Sequence, residues 1–303
     1  MISISPVADE HEEQLSLDAY QAAWPHERFG LPEVQSFKRQ LLDHADLLAR
    51  EDGALLGSGF AALFHGFPER PTVFVTVPPS RRRRGAGSAL YAALSDWARE
   101  RGLETLLAVV ADNDPESLAF AERRGFTEER REKGVSLDLT AIEPPRVDPP
   151  AGVEIVTWAE RPELARGLYE VSVEASPDVP GYEDEEHEPF EAWLAHDMQG
   201  PGDLPEATFV AVADNEVVGY AKFSLNTIDT TSAYHDLTAV RRAWRGRGVA
   251  RALKATQIAW AKANGYEELR TGNDERNIAM RRLNAELGYK PAIGRIFLRG
   301  PLA

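Results

Sequence analysis

A chain of 303 residues is long enough for two domains of ordinary size, and 43% hydrophobic with 27% charged residues is the balance of a globular protein. It contains no cysteine, which excludes disulfides, thiolate metal sites and a cysteine nucleophile, and no apolar run approaches the ~20 residues that span a bilayer. The formal net charge of −15 is spread over both halves, so no basic surface exists to follow a phosphate backbone, which argues against nucleic acid as a partner.

In chain order, Met1 to Pro6 leads into acidic residues and lacks the basic-then-apolar layout of a signal peptide, so a cytoplasmic protein is expected, without membrane partners. A helical segment is expected over 33–50, followed by a hairpin turning at Glu51-Asp52-Gly53. A β-rich run from Thr72 to Val77 leads into a glycine loop. Ala89, Ala93 and Trp97, with Leu90 and Leu94, then share one helical face. A strand from Leu106 to Val110 precedes a second helix that closes at Gly125-Phe126. Glu143 to Pro150 has four prolines in eight residues, which fixes φ repeatedly and reads as a stiff exposed linker.

Beyond the linker the same order returns. A helix is expected over 160–174, a hairpin at Asp214-Asn215-Glu216, and a β run from Asp236 to Val240. A loop follows, then a helix with Val249, Leu253, Thr256 and Trp260 on one face, a strand from Glu268 to Thr271, and a helix closing at Gly288-Tyr289. Ser176 to Trp193, rich in proline and acidic residues, reads as a long loop instead.

The recurrence is literal. At an offset of 163, 11 of the 26 positions in 81–106 are identical to 244–269, including Arg82 with Arg245, Gly85 with Gly248 and Trp97 with Trp260. A period this long exceeds any solenoid unit, so it marks two homologous domains, 1–142 and 152–303, joined by the linker 143–151. Both tryptophans fall in phase with leucines and read as core. The fold expected is α/β (α+β), helices packed on a sheet in each half.

Each loop has the chemistry of an anion site. A helix's first N–H groups lack internal partners and carry the positive end of its dipole; glycines let a pyrophosphate approach, and arginines add charge. The loop lacks the Gly-Lys-Ser/Thr ending of a Walker loop and the third glycine of a dinucleotide fingerprint.

This Arg-x-x-Gly-x-Gly/Ala loop, followed by Asn273 to Asn277 and a closing Leu287-Gly288-Tyr289, resembles the GNAT superfamily of N-acetyltransferases, here as a tandem. The resemblance implies two acyl-CoA N-acyltransferase domains, each with a mixed, mostly antiparallel sheet flanked by helices. It implies acetyl-CoA as cofactor and a primary amine of a small molecule or peptide as acceptor, attacking the thioester directly in a ternary complex. Thr238, Ala239 and Val240 would pair with pantetheine, with the Val240 N–H polarising the thioester carbonyl. Arg245, Gly246, Arg247, Gly248, Val249, Ala250 and Arg251 would hold the pyrophosphate, assisted by Asn273 and Asn277. In the first copy the matching positions are Val75, Val77, Arg82, Arg83, Arg84, Gly85, Ala86, Gly87, Ser88 and Asn113.

The tyrosine that many family members carry four residues before the closing glycine is absent, replaced by Ala121 and Asn284. Tyr234 and Tyr289 are the phenols nearby in sequence, and Tyr234 is taken with Asp236 and Val240 as a candidate catalytic residue. The run Thr72 to Val77 has no ionisable side chain, whereas Tyr234 to Val240 offers His235 and Asp236. Strand alternation puts Asp236, Thr238 and Val240 on one face and His235 on the other. Asp236 is the expected base or ammonium anchor, with a structural strand-end aspartate as the alternative. The second copy is therefore expected to be the active one and the first a degenerate copy or scaffold. A non-catalytic acyl-CoA-binding or sensing protein is the alternative function. The acidic surface could steer a cationic acceptor or simply keep the chain soluble. A monomer is expected, with a dimer as the alternative.

Overall fold

Asp52 and Gly53, and later Asp214 and Asn215, all have positive φ, the backbone of a tight turn whose twist matches the strands it joins. These turns create the hairpin at the centre of each repeat. The computed structural model describes residues 1–303, which divide into two units, Met1–Arg131 with Gly294–Ala303, and Glu132–Ile293. No helix is long and apolar enough to cross a membrane.

The first unit begins with β1 (Ile2–Pro6) and α1 (Glu10–Ala23), whose start is fixed by the Asp9 carboxylate accepting the Glu12 N–H at 2.9 Å. There follow α2 (Leu31–Arg39), β2 (Leu41–Glu51), β3 (Ala54–Phe64), β4 (Phe67–Thr76), α3 (Ala86–Arg99), β5 (Thr105–Ala111) and α4 (Pro115–Glu122), and β6 (Thr127–Asp138) passes into the second unit after Arg131. The expected helix over 33–50 is therefore half correct. It stops at Arg39, and Leu41–Glu51 is a strand paired along its length with β3, because ladder pairing overrides the helical spacing of its leucines. The sequence reading also passed over α1.

The second unit contains β7 (Glu154–Thr157), α5 (Ala165–Ala175), α6 (Phe190–Asp197), β8 (Phe209–Ala213), β9 (Glu216–Leu225), β10 (Ser232–Val240), α7 (Val249–Ala263), β11 (Glu268–Asp274) and α8 (Ile278–Glu286), and β12 (Lys290–Pro301) ends the chain. The segment read as a long loop from Ser176 is irregular only as far as Pro189, where α6 starts.

Strand order is β1-β2-β3-β4-β5-β12 in the first unit and β6-β11-β10-β9-β8-β7 in the second. The closing strands are exchanged. Arg295 to Pro301 pair antiparallel with β5, and Ile296 and Leu298 enter the first unit's core beside Leu94, Leu106 and Val110. Glu132 to Asp138 pair with β11, and Leu137 and Leu139 enter the second unit's core beside Leu253 and Leu269. The units thus divide at 131/132 and 293/294, whereas the sequence suggested a single boundary at 143–151. The proline-rich stretch itself has no helix or strand, as its fixed φ angles dictate. Trp97 and Trp260 both belong to hydrophobic cores.

The exchanged β12 is held closely at Gly300. A Cβ there would lie 2.3 Å from Cγ of Phe126, a core ring that cannot swing away. Gly300→Ala is expected to destabilise the first unit by about 1–3 kcal/mol, read as a lowered Tm or urea midpoint. An unchanged melting profile would show that β12 does not contribute to that core.

Candidate active site

In each unit two parallel strands begin to pair and then part. β4 and β5 are partners only at Thr72–Leu107 and Val73–Ala108. β10 and β11 are partners at Ser232–Glu268, Ala233–Leu269 and Tyr234–Arg270. Past those points the facing N–H and C=O groups have no strand to bond, which opens a slot in the sheet that an extended polar ligand can fill. At Val240 the direction of the backbone is fixed. The next residue, Arg241, donates its N–H back to Val218 O of β9 at 2.9 Å, so the Val240 N–H faces the opposite way, toward the slot.

The slot leads to the glycine loop, built alike in both units. Gly85 and Gly248 each have φ 91° and precede the first helical residue of α3 and α7. A residue with a Cβ is strained there, which is why both are glycine. The first intrahelical bonds are Ala89 N–H to Gly85 O at 3.1 Å and Ala252 N–H to Gly248 O at 3.0 Å. The N–H groups of residues 86–88 and 249–251 therefore point outward with no helical acceptor.

The motif arginine braces its own loop. Arg82 Nε donates to Val77 O at 3.2 Å, and Arg245 Nε to Val240 O at 2.9 Å, each bracing the loop against its own strand. The rest of Arg82 binds Asp114 at 2.7 Å and Glu116 at 3.1 Å, and Arg245 binds Asp178 at 2.7 Å. Burial pushes the Asp114 carboxyl up, but hydrogen bonds from Arg82 and Ser117 outweigh it and hold the group at about 2. Of the other loop arginines, Arg84 pairs with Glu51, Arg247 lies over the Trp244 ring at 4.9 Å, and Arg251 pairs with Glu286.

A cavity of about 320 Å³ occupies the first unit's slot. Of the residues expected there, Val75, Val77, Arg82, Arg83, Gly85, Ala86, Gly87 and Ser88 line it; Arg84 and Asn113 do not. Asn113 is exposed, and the place matching Asn277 is taken by Asp114, which caps α4 through the Ser117 N–H as Asn277 caps α8 through the Met280 N–H. A Cβ on Gly87 would lie 3.2 Å from the Phe120 ring, so this glycine keeps the cavity wall thin. Sequence reasoning missed Trp24, Phe120, Arg123 and Arg124, which also line it. Arg124 packs over Phe120 at 3.5 Å and bonds Ser88 at 2.7 Å. Phe120, Arg123 and Arg124 lie on or just after α4 and Trp24 ends α1, all outside the glycine loop.

In the second unit, β10 carries a bulge between His235 and Thr238. The inserted residue breaks the alternation that was expected to put Asp236 with Thr238 and Val240. His235 instead faces α7, where its Nδ1–H donates to Gln257 Oε1 at 2.9 Å, and Ala221, the partner of Thr238, belongs to the core on that same face. Asp236 faces the other way, 3.0 Å from the Lys222 ammonium, which also binds Asp203 at 2.9 Å and the Asp197 carbonyl. Burial opposes the charge on Lys222, yet Asp236 and Asp203 outweigh it and raise its pKa. Asp197 beside it is pushed up to about 6, mainly by burial. Tyr234 is 38% exposed, with its hydroxyl beside Gly272.

The wall of that slot is polar where the first unit's is apolar. Tyr91, Ala108, Val110, Ala121 and Phe126 line the cavity; at the offset of 163 their counterparts are Lys254, Thr271, Asn273, Asn284 and Tyr289. Asn273 and Asn284 bond each other, and Thr271 and Tyr289 both bond His235. The Tyr289 hydroxyl donates to His235 Nε2, Thr271 Oγ1 donates to His235 O at 3.1 Å, and Asn284 Nδ2 donates to Asn273 Oδ1 at 2.6 Å. Burial raises the Tyr289 pKa and lowers that of His235, so both stay neutral. Asn284 Oδ1 and Gln257 Nε2 are enclosed without a partner.

Lys254, 2% exposed, has the Tyr289 ring 5.5 Å from its amine, and burial pulls its pKa down to about 7. In the unfolded chain that amine titrates near 10.5, so between the two values the unfolded state holds the extra proton. Stability from this group therefore rises with pH from about 7 to 10.5, and its full penalty is present below 7. Lys254→Met is expected to raise Tm at neutral pH, with the gain shrinking as pH approaches 10; a gain independent of pH would contradict the buried amine.

The acetyltransferase (GNAT) family matches residues 11–126 and 166–289, one copy in each repeat. Among solved structures, the chain is similar to a tandem GNAT protein from the clavulanic acid biosynthesis pathway, determined without acetyl-CoA. The two are 24% identical with a TM-score of 0.78, covering 100% of this chain and 99% of that one. A GCN5-related N-acetyltransferase from Sphaerobacter thermophilus is 21% identical, with a TM-score of 0.77 and coverage of 99% and 96%. A GCN5-related glucosamine N-acetyltransferase region of a fungal multi-domain β-N-acetylglucosaminidase is 14% identical, with a TM-score of 0.73, covering 98% of this chain and 38% of that one. No curated protein matches the sequence.

Proposed function

The chain belongs to the acetyltransferase (GNAT) family, and from that premise we propose that it is an acetyl-CoA-dependent N-acetyltransferase that holds its donor in the first unit. The observation that carries the reading is the cavity running from the Arg82–Ser88 loop into the gap between β4 and β5. The chemistry of its wall fits the cofactor. Outward N–H groups of α3 and the side chains of Arg81, Arg83, Arg123 and Arg124 surround the loop end, where a pyrophosphate would sit. The walls farther in, Val73, Val75, Val109 and Val110, suit an uncharged pantetheine arm and acyl group.

Acetyl-CoA supplies an activated thioester, so the protein needs no nucleophile, in keeping with a chain that has no cysteine. Its own tasks are to align donor and amine, to offer backbone N–H groups to the charge developing on the carbonyl oxygen, and to exclude water. Asp236 in the second unit, expected as the base, has its carboxylate committed to the buried Lys222. The inward polar side chains of that unit's slot, Lys254 and Asn284 above all, are poor company for a pantetheine arm, which also favours the first unit.

A second reading, an acyl-CoA-binding or sensing protein, is favoured by Ala121 at the usual tyrosine position and by the lack of a carboxylate or histidine along the inner cavity wall. Calorimetry with acetyl-CoA on wild type, Gly85→Glu and Gly248→Glu tests the assignment, because glutamate places bulk and negative charge at the loop. One site, lost in Gly85→Glu and kept in Gly248→Glu, is expected. The opposite pattern would return the donor to the second unit, and no binding to wild type would sink the cofactor reading. Turnover of an amine panel by a binding-competent protein then separates the enzyme from the sensor.

A further inference from the structure

The cavity is lined by residues from both faces of the sheet, and its two ends differ in chemistry. Tyr91 and Phe126 line it on the face covered by α3, and Ala23 and Trp24 line it where α1 ends. The Tyr20 ring of α1 meets Phe74 at 6.0 Å, and Phe74 alternates with the core residues Val73 and Val75, so α1 covers the opposite face. Ala111, at the outer end of β5, also lines the cavity, and its cross-strand partner on β12 is Arg295. Because Ile296 enters the core on the α3 face, Arg295 projects toward the α1 face.

There Arg295 meets Glu27. Both its Nε, at 3.1 Å, and its terminal nitrogen donate to one Glu27 oxygen, and the Tyr20 hydroxyl donates to the other at 2.5 Å. The Glu27 N–H bonds Trp24 O at 3.0 Å, which ties the carboxylate to the residue forming the mouth. The pair is open to solvent, with Arg295 37% and Glu27 22% exposed. It is not part of the shared scaffold, because the repeat's counterpart of Arg295, opposite Asp274, is Glu132.

We propose that this mouth receives the acceptor and that the acceptor is an amine bearing a carboxylate, of the amino-acid type. The inference rests on the first unit being the donor site. A zwitterion presents the same two charges in reverse order, so its carboxylate pairs with Arg295 and its ammonium with Glu27, at the end of the cavity remote from the basic loop. Transfer then forms the C–N bond as the C–S bond breaks. Of the two protons lost by the nitrogen, one neutralises the departing thiolate and one leaves through Glu27 to water.

The test compares acceptors that differ only in the carboxylate: leucine with isopentylamine, phenylalanine with phenethylamine, and lysine with cadaverine. Each is assayed with acetyl-CoA on wild type, Arg295→Gln, Arg295→Lys and Glu27→Gln, alongside calorimetric acetyl-CoA affinity. The amino acid of at least one pair should be favoured by about tenfold or more in kcat/KM, the scale of one hydrogen bond to a charged group. Arg295→Gln should remove that preference through KM, Arg295→Lys should keep part of it, and acetyl-CoA affinity should be unchanged in all, which also shows that the variants fold. Equal use of both members, a preference that survives Arg295→Gln, or no acetylation by a protein that binds acetyl-CoA overturns the acceptor assignment alone. A wild type that fails to bind acetyl-CoA overturns the donor reading and this inference with it.

Discussion

Both units depend on one constraint, the early parting of two parallel strands. A sheet that stops pairing in its interior leaves backbone N–H and C=O groups facing an empty strip, and such groups are expensive to enclose unpaired. In the first unit the parting begins after Val73 and Ala108, and the walls beyond are small or β-branched, so the strip widens into a cavity. In the second it begins after Tyr234 and Arg270, and the polar counterparts of those wall residues bond within the protein, Asn284 to Asn273 and Tyr289 to His235. The same backbone device thus has two linings, one apolar at these positions and one polar. Lys254 shows the strain of the second lining, since an amine enclosed without a counter-ion loses its charge near neutrality.

The exchange of closing strands follows from the same geometry. β5 and β11 lose their partner on one side where the slot opens, so their other edge must be held firmly if the gap is to keep its width. Each is paired over seven residues on that edge by a strand from the other half of the sequence. This is why a chain that is plainly a tandem repeat does not divide into two serial domains. It also brings Arg295, remote in sequence from everything else at the α1 mouth, beside Glu27.

What was legible in the sequence was whatever local backbone chemistry dictates. The turns at Asp52-Gly53 and Asp214-Asn215, the helix start after Gly85 and Gly248, and the core tryptophans are each fixed by φ or by helical phase within a few residues. What was not legible depended on partners far away. Leu41 to Glu51 has helix-compatible spacing and becomes a strand only because β3 lies beside it. The alternation that put Asp236 with Val240 is sound for a regular strand and fails at a bulge, which leaves no residue signature here. That the motif arginine also braces its own loop was not legible either, because Val77 O and Val240 O, each left without a strand partner, take its Nε–H.

Bracing by Arg82 and Arg245 gives the loop motif a role independent of cofactor binding. Gly248 has the same φ as Gly85, and Arg245 makes the same brace as Arg82, in a unit whose slot is otherwise lined with bonded polar groups. A helix launched from a strand end through a left-handed residue needs that glycine and that arginine whether or not a pyrophosphate arrives. The motif has the same folding role in both units, and its presence alone does not separate a working unit from a structural one. The discriminating residues are those facing the slot, Tyr91 against Lys254 and Ala121 against Asn284, where nothing in the backbone forces a choice and the side chain alone decides what can enter.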